Sequence, residues 1–321
     1  MEDRNIGFSK LIKRSLDYAS LTFFPNEVGD GAASPTKLLS GLSETLEIPD
    51  TWHTVGKSNR GYAQVRINEG VDGVTAYCFP YAPNQFHMHL ELKGAGCEAI
   101  GTERLGRIDS HCYDANLRFQ ASRLDFANDY VGFTPTDLQR TWHSGRTVSR
   151  IKRQSFMSNN DGTTFYCGSK ESFQLCCYDK RGFTRAEFRV FGNDAKMFGS
   201  LVCDGGYAAA HATVLAIYGD KIAFNEADGS ALAAWVALRE SGYADSDRGA
   251  RPTRVAPAVP ALAKVLGLHE TLRSLLGKVV ILRTGLGISP ELVTEMMDSM
   301  KVDAASMPEI EKIRKLVNAL G

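Results

Sequence analysis

Three times along this chain, a run of strand-forming residues meets a Gly-containing turn and a second such run begins beyond it. Tyr62 to Ile67 and Val74 to Phe79 flank Asp72-Gly73. Arg150 to Met157 and Thr163 to Cys167 flank Asn160-Asp161-Gly162. Leu175 to Tyr178 and Thr184 to Val190 flank Asp179-Lys180-Arg181-Gly182. Gly accepts the positive φ that tight turns between paired strands demand, and strands joined this way are antiparallel. With no helical pattern inside these units, the expected architecture is α+β: a largely antiparallel sheet with helices packed on it. Residues 16–24, 86–92 and 118–130 supply further strands. Ser34-Pro35 before Leu38, Leu39 and Leu42 reads as a capped helix, and residues 206–239 read as helical.

A chain of 321 residues can bury a sizeable core. It contains no 18-residue apolar run and no apolar stretch at its start, so the sequence predicts a cytoplasmic protein without a membrane span. Seven cysteines at irregular spacing, with no C-x-x-C pair, read as reduced and buried thiols. Residues 1–240 are expected to form the main domain, with its core at 15–200. Residues 241–260, with Pro252, Pro257 and Pro260, read as a linker. Residues 261–321 read as a helical region, where Ser306 and Glu309 open a helix striped by Ile310, Ile313, Val317 and Leu320.

Net formal charge is zero, which by itself argues against a general nucleic-acid binder. The charge is uneven, however. Ten bases and four acids lie between Arg140 and Arg189, a local excess of +6 suited to phosphates or to a solvated sheet face.

Four constellations carry possible chemistry. Asp125 and Asp129 are four apart on one strand and so share a face, with Ala127 between them. Paired carboxylates suit a hard divalent cation such as Mg²⁺ or Mn²⁺, or an arginine. Tyr178 lies two residues before Lys180 at a hairpin, with Arg185, Glu187 and Arg189 on the following strand. A phenol needs activation before it attacks phosphorus, because its pKa is near 10. Lys180 is the candidate for lowering that pKa, whereas a strand-filling tyrosine beside a solvated lysine fits the same residues. With a four-residue loop, Tyr178 would face Phe183 and Glu187 would sit roughly 14 Å further along, so contact between them requires a wide or twisted loop. His87, His89 and Glu91 alternate on one strand, as in the HUH nucleases, and form a secondary metal candidate. Gly94-Ala95-Gly96-Cys97-Glu98-Ala99 formally matches a dinucleotide fingerprint, although its surroundings are hairpins rather than βαβ units.

Taken in order, these pieces resemble the replication initiation factor family (Rep_trans type), the rolling-circle initiators of plasmids and filamentous phages, with related conjugative nickases. The resemblance covers roughly residues 15–200. It is carried by Asp17-Tyr18-Ala19, His89 to Cys97, Arg123 to Asp129, Thr164 to Ser172, Tyr178-Asp179-Lys180 and Arg185-Ala186-Glu187. Cys176 departs from it, standing where such proteins often carry arginine, and the segment between Lys180 and Arg185 is short. The resemblance implies that Tyr178 attacks an origin phosphodiester, leaving a 5′-phosphotyrosine link and a 3′-OH that primes host polymerase. It further implies Asp125, Asp129 and Glu187 as holders of Mg²⁺ or Mn²⁺. Lys170, Arg181, Arg185 and Arg189 are the candidate phosphate contacts. The partners expected are origin DNA, duplex and displaced strand, then host helicase and polymerase, and a second copy through the C-terminal helices. The competing functions are a catalytically inactive DNA-binding regulator and a dinucleotide-dependent oxidoreductase.

Overall fold

In a computed structural model of the chain, the described residues are 10–26, 34–58, 60–81, 87–149, 151, 153–159, 162–180, 182–219 and 221–244. The expected linker and helical region at 241–260 and 261–321 lie outside them from residue 245 on, as does Arg181.

The described elements begin with β1 (Lys10–Pro25), α1 (Pro35–Thr45), β2 (Trp52–Gly56), β3 (Tyr62–Asn68), β4 (Val74–Pro80) and β5 (Met88–Lys93). Next come α2 (Gly94–Leu105), α3 (Ile108–Asp114), β6 (Leu117–Val131), α4 (Pro135–His143), β7 (Thr147–Ser149), β8 (Gln154–Asn159) and β9 (Gly162–Gly168). The series ends with β10 (Phe173–Lys180), β11 (Phe183–Phe191), α5 (Gly192–Cys203), α6 (Tyr207–Gly219), β12 (Ile222–Phe224) and α7 (Ala233–Ala244). Ten strands form one antiparallel sheet in the order β2-β3-β4-β5-β1-β6-β11-β10-β9-β8, and β7 pairs with β12 separately. This is the α+β class that the repeated hairpins dictate.

The two longest strands, β1 and β6, lie side by side at the sheet's centre. On β1, Ala19, Leu21 and Phe23 are buried in the core while Tyr18, Thr22 and Phe24 are only half-buried, the period-two signature of a sheet with one apolar face. That face is covered by helices. Phe126 of β6 meets Phe198 of α5 at 6.1 Å and stacks on Tyr207 of α6. Gly199 brings α5 down onto β6; a Cβ there would stand 2.3 Å from the Cβ of Ala121. Trp235 of α7 packs against Phe224 and Phe188 and donates its indole N–H to the Ile222 carbonyl.

One sequence expectation changes. Residues 206–239 are not continuously helical, because Ile222–Phe224 leaves α6 to pair with β7. Gly94-Ala95-Gly96, the formal match to a dinucleotide fingerprint, opens α2 after a strand flanked by antiparallel neighbours on both sides, not after a parallel strand. The seven cysteines are free thiols and all are buried. Among the described residues, no helix is long and apolar enough to cross a membrane.

Gly168 ends β9 with φ +111°, and a Cβ there would lie 2.2 Å from the Phe173 carbonyl oxygen. A Gly168→Ala substitution is expected to cost roughly 1–3 kcal/mol, read as a lower urea midpoint, since neither backbone conformation nor space admits a side chain.

Candidate active site

The sheet face away from the core helices carries most of the buried charge. Across β6 and β11, Asp125 pairs in register with Arg189, Ala127 with Glu187, and Asp129 with Arg185. Residues directly opposite in an antiparallel pair share a face, so the two strands present a ladder of alternating sign. The sequence expectation that Asp125 and Asp129 share a face around Ala127 therefore holds.

The hairpin that carries Tyr178 is tighter than expected. Lys180 pairs with Phe183, so the loop is Arg181-Gly182 alone, with Gly182 at φ +98°. Tyr178 then faces Arg185, and Cys176 faces Glu187. Glu187 becomes a diagonal cross-strand neighbour of Tyr178, roughly 7–8 Å away by strand geometry and within reach of a tyrosine. The phenol donates to Glu187 Oε1 at 2.6 Å. Shortening the loop by two residues shifts the partner of Tyr178 from position 183 to 185. A narrow loop, not the wide or twisted one expected from the sequence, brings Tyr178 and Glu187 into contact.

Each proposed metal carboxylate is held by an arginine. Arg123 forks onto Asp125 at 2.8 and 2.5 Å. Arg185 forks onto Asp129 at 2.5 and 2.8 Å and also binds Asp17. Arg189 places two N–H groups on Glu187 Oε2, at 2.8 and 2.6 Å, and lies 3.5 Å from Asp125. Among the described residues, no three His, Cys, Asp or Glu side chains converge as a cation site. Asp125, Asp129 and Glu187 thus share a face without forming a cage, and as arranged they do not fit a bound Mg²⁺ or Mn²⁺: both oxygens of Asp125 and of Asp129 are taken by a guanidinium fork, and those of Glu187 by Arg189 and Tyr178.

His87 and His89 do not converge either. His89 is bonded through Nε2 to Ser20 Oγ at 3.1 Å and through Nδ1 to Thr22 Oγ1 at 2.8 Å, so both ring nitrogens are occupied. His87 packs against Phe24 and Tyr62. Glu91 accepts from Tyr18 at 2.6 Å, from Tyr77 at 2.9 Å and from Arg60. Burial pushes the Glu91 carboxyl up, but these donors, with His89 Nε2 at 3.8 Å, hold it well below the usual carboxylate range.

The titration of the Tyr178 pair runs the other way. Burial, then the charge of Glu187 and the hydrogen bond to it, raise the phenol well above its usual value, with Asp17 adding and Arg185 opposing. Burial also raises Glu187, against the pull of Arg189 and Tyr178, with Asp125 and Asp17 adding. The Asp125 carboxyl is likewise raised by burial, against Arg123 and Arg189. The pair is a protonated phenol bonded to an unusually basic carboxylate. Lys180 is not among the groups that shift Tyr178 most, so its proposed part in lowering the phenol pKa is not supported.

The candidate phosphate contacts divide. Arg189 lines a cleft of about 450 Å³ together with Tyr178, Glu187, Asp125 and Arg123. Arg185 is 6% exposed and committed to Asp129 and Asp17, which makes it a structural ion rather than a phosphate clamp. Lys170 sits in the turn between β9 and β10, at the far end of β10 from Tyr178. Part of the +6 excess at 140–189 meets acids outside that segment, Arg140 on Asp137 and Arg185 on Asp129 and Asp17.

The sequence reading did not assign a site role to Asp17, Tyr18, Lys93 or Arg123, which also line the cleft. Asp17 and Tyr18 are adjacent, yet both reach it because β1 carries a register shift between Leu16 and Tyr18. Simple alternation places only one of them there. Arg123 was legible in part as the basic flank of Asp125; its guanidinium lies 4.3 Å over the Tyr18 ring.

The fold is shared with a solved structure, that of a rolling circle replication initiator protein from Geobacillus stearothermophilus. The two agree with a TM-score of 0.58 at 17% identity, over 73% of this chain and 97% of that one. No protein-family model and no curated protein matches the chain.

Proposed function

We propose that this protein nicks and rejoins DNA at a replication origin by tyrosine attack on a phosphodiester, in the manner of a rolling-circle initiator. The observation that carries the reading is the bond from Tyr178 to Glu187, set in an arginine-lined cleft on a sheet of the initiator fold. Tyr178 Oη forms the new bond to phosphorus as the P–O3′ bond breaks. The phenol proton passes to Glu187 Oε1, and the departing 3′ oxygen takes up a proton to become a 3′-OH. Rejoining is the reverse, with the 3′-OH attacking the phosphotyrosine.

Burial makes Tyr178 a poor phenolate but makes Glu187 a better base, so the proton moves at the moment of attack rather than before it. Arg189 orients Glu187 through Oε2, leaving Oε1 for the phenol. Arg189, Arg123 and Lys93 face the cleft, where phosphate charge would be neutralised. With arginines on Asp125, Asp129 and Glu187, nicking runs through the phenol, Glu187 and the cleft cations, without a step on Mg²⁺ or Mn²⁺. The Gly94–Gly96 segment gives no support to the dinucleotide reading: it follows an antiparallel strand, and Gly96 packs against Gly73, whose carbonyl oxygen would be 2.9 Å from an added Cβ.

The test is incubation with supercoiled DNA bearing the origin of the protein's own replicon, followed by SDS. A covalent protein–DNA adduct and a relaxed circle are expected; DNA binding without adduct would favour the inactive regulator. The pH dependence is a further check. A base must be ionised to act, and Glu187 titrates above the usual carboxylate range. The nicking rate is therefore expected to rise with pH through an ionisation above ordinary glutamate. Glu187→Gln should remove that limb and lower the rate on the order of 10²-fold. An unchanged profile in Glu187→Gln would assign the base elsewhere.

A further inference from the structure

Beyond the cleft, the same sheet face continues over β1, β5 and β4, and its side chains form a repeated pattern. Arg118 lies 5.0 Å over the ring of Phe24, Arg60 lies 5.2 Å over Tyr77, and Arg123 spans Tyr18 and Phe191 at 4.3 and 5.5 Å. Each places a guanidinium carbon over an aromatic ring. Lys93, exposed, stands opposite Tyr18 at the end of β5. Glu91 and Asp125 on this half are 3% and 2% exposed and lie beneath Arg60 and Arg123, so the solvent meets the cations rather than the acids. Arg118 is exposed and, among the described residues, bonds no carboxylate. A structural role accounts for the arginines that neutralise buried acids. It does not account for Arg118.

We propose that this half of the face is a platform for single-stranded DNA flanking the nick. Cations neutralise a strand's phosphates, while rings and guanidinium planes offer flat surfaces to unstacked bases. A duplex keeps its base faces stacked inside, so it gains nothing from such groups. From Tyr18 to Phe24 the platform extends six residues along β1, roughly 20 Å, enough for several nucleotides. It adjoins the Tyr178 cleft through Arg123, which lines that cleft and also lies over Tyr18. The inference rests on the nicking reading, because nicking is what produces a free single strand at this place.

The experiment is fluorescence anisotropy of the full chain with a labelled oligothymidylate and with a duplex of equal length, across a salt series. The variant is Arg118→Ala, an exposed residue outside the cleft, with thermal unfolding recorded alongside. Single-strand binding is expected to weaken about tenfold, from the lost stacking plane and cation together. The slope of log affinity against log salt should become shallower by about 0.7 for the one cation removed, with a smaller loss on the duplex and an unchanged melting temperature. Unaltered single-strand binding, or equal loss on both DNAs, would overturn the platform. Its fate separates from that of the nicking reading. An adduct formed by the wild type with unaltered single-strand binding in the variant sinks the platform alone. Selective single-strand loss without any wild-type adduct sinks the nickase alone.

Discussion

Tyr178→Phe is expected to leave no SDS-resistant adduct with origin DNA and to slow nicking by about 10⁴-fold or more. The substitution removes one oxygen from a ring that packs on the sheet face, so folding and DNA affinity should stay close to wild type. Among the described residues, that oxygen's partner is Glu187 Oε1. Its loss leaves that carboxylate held by Arg189, already bonded to Oε2, and therefore not an orphaned charge. An adduct formed by Tyr178→Phe at the wild-type rate would move the chemistry to another nucleophile, with Tyr18, bonded to Glu91 in the same way, the next to examine.

Arg185→Met should destabilise the protein by about 3–5 kcal/mol, the usual penalty for removing one partner of a buried ion pair. Arg185 is 6% exposed and satisfies Asp129, itself 4% exposed, through two bonds, and Asp17 through a third. Without it Asp129 is buried, charged and unpaired. The measure is the urea midpoint at constant m-value. Arg185→Met/Asp129→Leu should recover much of the loss, since replacing both partners with apolar groups removes the uncompensated charge. Full stability in Arg185→Met, with a selective loss of DNA affinity, would instead mark Arg185 as a phosphate clamp and overturn its structural role.

The Arg185 assignment also illustrates how far residue type reaches. From the sequence, Arg185, Arg189 and the carboxylates are a set of opposite charges on neighbouring strands, compatible with a metal cage, a phosphate grip or mutual pairing. Register decides among these. Pairing 129 with 185 puts Asp129 against Arg185, while Arg123 and Arg189 reach Asp125 and Glu187 along their own strands, and the low-dielectric sheet face makes those contacts strong. Nor does composition reveal that His89 is saturated by Ser20 and Thr22, because those hydroxyls come from a strand 67 residues or more away.

Two helices carry local signals in the sequence. Thr134-Pro135-Thr136-Asp137 is a capping box with proline in the first turn, and it opens α4. Ala195, Phe198, Gly199 and Val202 are the buried face of α5 at helical spacing.

What the sequence determined by itself is local: the Gly-containing turns and alternating runs that make β3–β4, β8–β9 and β10–β11 antiparallel hairpins, and the shared face of Asp125 and Asp129. Those follow from backbone sterics and the two-residue period of a strand. Only the tertiary structure decided that Tyr178 meets Glu187 and that Asp129 and Asp17 meet Arg185, whereas Arg123–Asp125 and Arg189–Glu187 join residues two apart on one strand. The first depends on whether the hairpin loop has two residues or four. The second depends on pairing among β1, β6 and β11, strands far apart in the chain whose register is set by core packing and a bulge at Asp17, not by any neighbouring residue.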